Sequence, residues 1–100
     1  MRIQLLYFDD CPNWEVTHSR LRQVLDAMRL GAEVETVLVN TPEQAERWNF
    51  HGSPTILIDG QDPFAQPGAP VGLSCRLYQT PAGLEGSPTG DQLAEALAHS

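Results

Sequence analysis

The sequence predicts an α/β fold, β-α-β-α-β-β-α, with a mixed four-stranded sheet and helices on both faces. Three observations predict it. Short apolar or alternating runs recur along the chain, separated by stretches with helical spacing. The first two runs flank a helix-length segment, which calls for parallel strands joined by a right-handed crossover. No helical stretch separates the third and fourth runs, which calls for an antiparallel pair. The chain has 100 residues and reads as a single domain, 1–100. Folding at that size buries roughly 60–70% of the unfolded surface, enough for one core without metal or disulfide staples.

The elements follow in order. Ile3 to Phe8 is a β-rich run followed by turn residues, hence a buried strand. Residues 12–30 read as a helix: Leu21, Val24, Leu25 and Met28 share one face, and Trp14 and Thr17 extend the stripe backwards. Pro12 suits the first turn, and Gly31 is the expected stop. Glu33 to Val39 alternates and then turns apolar, giving a second strand. Thr41 is a cap for a short helix beginning at Pro42, with acids near its positive end. Thr55 to Ile58 is a third strand ending at the turn pair Asp59-Gly60. Residues 61–73 hold three prolines and two glycines and form a long loop, of a length often tied to function. Ser74 to Gln79 is the expected fourth strand. Thr89 or Asp91 caps the last helix, which runs through Leu97.

Charge and composition exclude some roles. The net charge is −7, and every one of the six basic residues is Arg. A surface that tracks phosphates needs far more positive charge, so nucleic acid is not an expected partner. No apolar run approaches the roughly 18–20 residues that span a bilayer, so no membrane partner is expected. The opening "MRIQLLYFDD" lacks the apolar length and small-residue site of a signal peptide, so a cytoplasmic location is expected.

The chemistry concentrates in "FDDCPNW", Phe8 to Trp14. A cysteine and a proline stand where a strand turns into a helix, but Trp14 occupies the place of a second thiol. With "GSPT" before the third strand, this order resembles the thioredoxin-like superfamily over nearly the whole chain. More narrowly, "YFDDCPNW" and "GSPTILIDGQDPF" resemble a group of small bacterial thioredoxin-like proteins, some labelled after alkylmercury lyase. The resemblance implies that Pro54 is a cis-proline facing Cys11. It also implies that the backbone beside Pro54 pairs with an extended substrate segment. Cys11 is then the catalytic residue, and Pro12, Trp14, Ser53, Pro54 and Thr55 bind substrate.

A helix N-terminus favours the reactive thiolate of Cys11, while the neighbouring Asp9 and Asp10 disfavour it. Asp9 and Asp10 are also candidates to cap the helix. Without a second cysteine in the turn, the site cannot close its own disulfide there. The expected activity is monothiol, glutaredoxin-like thiol–disulfide exchange with a protein or small-molecule disulfide. Glutathione or another low-molecular-weight thiol would serve as co-substrate, and no bound cofactor or metal is expected. Cys75 reads as a buried apolar residue or an occasional partner for Cys11. If the fourth strand runs antiparallel to the third, Cys75 lies nearer Ile58 than Cys11. A disulfide needs Cα atoms within about 7 Å, so direct pairing is not expected without movement. Two other readings stand beside exchange: a non-catalytic thioredoxin-fold binding module, and mercury or organomercurial binding through the Cys11 thiolate. His18, His51 and His99 are isolated and lack the spacing of a zinc site.

Overall fold

The computed structural model describes residues 1–99. Strand β1 (Ile3–Tyr7) is central, with β2 (Val34–Leu38) parallel on one side and β3 (Thr55–Ile58) antiparallel on the other. The parallel pair is joined through helix α1 (Asn13–Ala27), as the first crossover requires. Helix α2 (Pro42–Trp48) connects β2 to β3, and α3 (Gly90–Ala98) closes the chain.

The alternation of β1 sorts the core into two layers. Ile3 and Leu5 face one side and join Ile56 and Ile58 of β3, Leu21 and Leu25 of α1, and Leu93 and Leu97 of α3. Leu6 faces the other side and joins Leu57, Val39, Ala45 and Phe50. Helices therefore cover both faces of the sheet, α1 and α3 on one and α2 on the other. The register Ile3–Ile58 and Leu5–Ile56 aligns the apolar residues of β1 and β3 on the same face.

The sheet has three strands, not the expected four. Among the described residues, the segment from Ser74 onward forms regular strand only at β4 (Tyr78–Thr80) and β5 (Gly83–Glu85). These two pair with each other in a separate antiparallel hairpin, and β4 does not join β3. The edge of β3 instead folds back on its own exit: Ile58 bridges Gln61 across Asp59 and Gly60, which have φ of 52° and 84°. Positive φ at both central residues is the requirement of the tightest hairpin turn, and Asp-Gly meets it.

Several boundaries also shift. Helix α1 ends at Ala27, before Gly31, because Arg29 takes the left-handed conformation at φ 56° and the Leu30 N–H bonds back to the Leu25 carbonyl. Its N-cap is Pro12, without a side-chain cap, so neither Asp9 nor Asp10 fills that role. The other two caps are as expected. Thr41 accepts from the Gln44 N–H. Thr89 and Gln92 form a reciprocal capping box at the start of α3. Thr17 on α1 is fully buried and shares a hydrogen bond with Ser87, while Arg20 donates to the Pro88 carbonyl. These bonds tie α1 to the chain entering α3. No helix among the described residues is long and apolar enough to cross a membrane.

Candidate functional site

Cys11 sits in the turn between β1 and α1, with its N–H bonded to the Phe8 carbonyl. The Ser53–Pro54 peptide is cis and lies beside it, with the Cys11 Sγ 3.5 Å from the Ser53 carbonyl oxygen. The hydroxyl of Ser53 accepts the Phe8 N–H, and the hydroxyl of Thr55 donates to the Gly52 carbonyl. The start of α1 and the start of β3 are thus fastened together around the sulfur.

Cys11 is bonded to Cys75, with 5.9 Å between their Cα atoms. This overturns the expectation that Cys75 lies near Ile58, out of reach of Cys11. It also overturns the reading of Cys75 as a core residue, since Cys75 is exposed. The reason is the direction of the chain. More than a dozen residues separate Ile58 from Cys75, a length that can carry a chain back to run parallel. The returning strap, residues 70–76, runs alongside residues 50–53, the segment that enters β3. Gly72 donates to the Phe50 carbonyl, Ser53 to the Ser74 carbonyl, and Arg76 to the Ser53 carbonyl. Cys75 therefore arrives opposite Ser53 as a parallel bridge, at the end of β3 nearest Cys11.

Side chains pin this strap independently of the sulfurs. Arg76 pairs with Asp62 at 2.7 Å, both side chains being about nine-tenths buried. The same guanidinium donates to the Phe64 carbonyl and to the Thr55 hydroxyl, and lies 4.7 Å from the centre of the Tyr78 ring. The Tyr78 hydroxyl donates to the Pro54 carbonyl. Burial pushes the Tyr78 phenol well above its ordinary range, opposed by Arg76 and aided by Asp62. The hydroxyl thus stays a donor across the whole physiological range. Sequence reasoning missed Asp62, Arg76 and Tyr78. Their signal was weak: an Arg two residues before a Tyr, and an acid in a proline-rich loop.

The expected substrate-binding residues do not form one open surface. Pro12 is exposed beside Cys11. Trp14 stacks on Tyr7 with ring centres 4.1 Å apart and packs against the core of α1 and α3. Ser53, Pro54 and Thr55 are buried, and the strap occupies the backbone edge on which an extended segment was expected to dock. His18 meets the edge of Trp14 rather than a sulfur. Among the described residues, no group of three or more His, Cys, Asp or Glu side chains gathers to hold a metal ion.

The strap's approach explains one glycine. Gly52 has φ 113°, and a Cβ there would stand 3.0 Å from both the Ser74 carbonyl oxygen and the Arg76 Cβ. Backbone lies on one side and a pinned side chain on the other, so neither yields cheaply. Gly52→Ala is expected to destabilise the protein by roughly 2–3 kcal/mol through strain at a glycine-only backbone conformation. Thermal unfolding checks this; an unchanged melting temperature would place the strap elsewhere.

Chemically, the site is a disulfide between one buried and one exposed cysteine. Cys11 has 0% exposure, so an incoming thiol reaches the bond from the side of Cys75. The N-terminus of α1, which lacks a side-chain cap, stands next to the sulfur that would leave. Comparison of the chain with protein-family models, with curated proteins and with solved structures gave no match to any of them.

Proposed function

We propose that this chain is a thioredoxin-like thiol–disulfide oxidoreductase that cycles Cys11 and Cys75 between disulfide and dithiol. The single observation that carries the reading is the bond between a buried Cys11 at the opening of α1 and an exposed Cys75 on a separately pinned strap. The cis Ser53–Pro54 peptide beside Cys11 supports it. The monothiol version expected from the turn alone gives way to a dithiol version, because the second sulfur comes from the strap.

The exchange proceeds by ordinary thiolate attack. A substrate thiolate attacks the Sγ of Cys75. The bond to Cys11 breaks, and Cys11 leaves with the electron pair as a thiolate, favoured by the positive end of α1. A second substrate thiolate then attacks the substrate sulfur of the mixed disulfide. The substrate disulfide forms, and Cys75 is released as a thiolate. Two electrons pass from the substrate dithiol to the Cys11–Cys75 pair, and the reverse sequence reduces a substrate disulfide.

The pinning bonds bear on this cycle. Arg76, Asp62 and Tyr78 hold the strap without help from the disulfide, so the two thiols stay close after reduction. The test is native reduction with excess dithiothreitol, followed by thiol counting and circular dichroism. Both thiols are expected to be freed with the fold intact, and the reduced chain is expected to reduce a disulfide in a second protein. A bond that opens only when the protein unfolds would make it a structural staple. That result would favour the binding-module reading, with the loop of residues 61–73 rather than the covered Pro54 edge as the surface offered to a partner.

A further inference from the structure

We propose that the groove beside Cys75 binds a cysteine-bearing peptide that is apolar around the cysteine and carries basic rather than acidic charge. The proposal rests on the exchange reading above and names the substrate class of that same bond. The groove has a volume of about 460 Å³, and its walls include His51, Phe64, Ala69, Pro70, Cys75 and Leu77. The exposed cysteine of the disulfide thus forms part of the wall of a concave site whose lining mixes apolar side chains with polar ones such as Gln66, Ser74 and Gln79.

The strap that carries Cys75 is unusually apolar where it meets solvent. Val71, Leu73 and Leu77 are 39%, 37% and 60% exposed, all within four residues of the sulfur. None of them belongs to either core layer. Leu77 lines the groove itself, and Val71 and Leu73 are exposed on the chain leading to Cys75, a surface that suits apolar side chains flanking an attacking cysteine.

Charge selects further. The two basic residues lining the groove are already engaged: Arg76 with Asp62 and the Phe64 carbonyl, and the His51 Nδ1 with the Pro70 carbonyl. Neither is left to receive a carboxylate. The chain carries a net charge of −7, and Asp9 and Asp10 stand exposed two and one residues before Cys11. An anionic thiol such as glutathione meets this field unpaired, whereas a basic peptide is drawn in. In the step itself the peptide thiolate attacks the Cys75 Sγ, a peptide–Cys75 disulfide forms, and Cys11 departs as a thiolate that takes a proton from water.

The experiment measures the rate at which the native full chain is reduced by four thiols: acetyl-Leu-Cys-Leu-Arg-amide, acetyl-Leu-Cys-Leu-Glu-amide, glutathione and 2-mercaptoethanol. Each rate is divided by that thiol's rate on bis(3-hydroxypropyl) disulfide, a neutral disulfide of none of the four thiols, which removes differences in intrinsic reactivity. The basic peptide is expected to exceed both the acidic peptide and glutathione by about 10-fold, the equivalent of roughly 1.4 kcal/mol, with the gap narrowing as salt is added. Leu77→Ser, at an exposed position, is expected to lower the ratio of each peptide's rate to that of 2-mercaptoethanol several-fold. Equal corrected rates for all four thiols, a preference for glutathione, or indifference to Leu77→Ser overturns the proposal while leaving exchange standing. Failure of 2-mercaptoethanol itself to open the bond overturns both.

Discussion

Cys75→Ser is expected to abolish dithiol exchange and to destabilise the fold by about 4 kcal/mol. The two cysteines are 64 residues apart, so the bond closes most of the chain into one loop. Closing a loop of that length restricts the unfolded chain by an amount equivalent to about 4 kcal/mol in the chain-entropy account. A domain of this size has a total stability of roughly 5–15 kcal/mol, so the loss is large. It corresponds to a fall of roughly 15–30 °C in melting temperature. Cys11→Ser has the same thermodynamic consequence, since the same loop opens. The two variants differ in chemistry. Cys11→Ser leaves a thiol at the exposed Cys75, which is expected to be alkylated on the order of 10-fold faster than the buried Cys11 thiol left by Cys75→Ser, because access governs the reaction. Denaturant titration gives the stability change, and iodoacetamide labelling followed by mass spectrometry gives the reactivities. Equal labelling of the two lone thiols would remove the assignment of Cys75 as the entry point for substrate.

The order of these rates was not legible in the sequence, although much of the fold was. The apolar spacing of Leu21, Val24, Leu25 and Met28 gave α1, and the periods of β1 and β3 gave their buried faces, because both patterns are local consequences of backbone geometry. The caps at Thr41 and Thr89 were legible for the same reason. The turn at Asp59-Gly60 was legible as a turn, but what followed depended on where a proline-rich loop would lead. A short link between strands argues for antiparallel pairing only while the link is short. Residues 59–73 are long enough to bring the chain back to the beginning of β3, and that choice moved Cys75 from the far end of the strand to Cys11. Nothing local records it. The partners that fix the strap, Asp62 with Arg76 and Tyr78 with the Pro54 carbonyl, are non-local pairs whose members look like ordinary surface residues in the sequence. Cys11 and Pro54 were legible as neighbours only through a resemblance in motif, whereas the cysteine that completes the site came from a segment read as a strand.

Arg76→Met is expected to destabilise the protein by about 3–5 kcal/mol and to make the Cys11–Cys75 bond easier to reduce. Its guanidinium-bearing side chain is 9% exposed and faces an Asp62 side chain that is 11% exposed. Removing one partner of a buried ion pair leaves the other charged group desolvated, which is the origin of the large cost. The Phe64 carbonyl loses its donor as well, and the Tyr78 ring loses the cation over its face. The double variant Arg76→Met, Asp62→Asn removes both charges and is expected to recover more than half of the loss. The carboxamide oxygen introduced by Asp62→Asn can still accept from the Phe64 N–H, as the Asp62 Oδ1 does at 2.8 Å. The redox effect follows from where the strap goes once the disulfide opens. With Arg76 in place the reduced strap stays against residues 50–53 and presents the two thiols to each other at high effective concentration. Without it the strap gains freedom only in the reduced state, because the oxidised state still has the covalent tie. The thiol form is therefore favoured, and the equilibrium with a glutathione redox buffer shifts towards reduced protein. Thiol counting across a series of buffer ratios reads that shift directly. An unchanged midpoint in Arg76→Met, with the stability loss present, would mean that the strap keeps its place by other bonds and that the ion pair serves the fold alone.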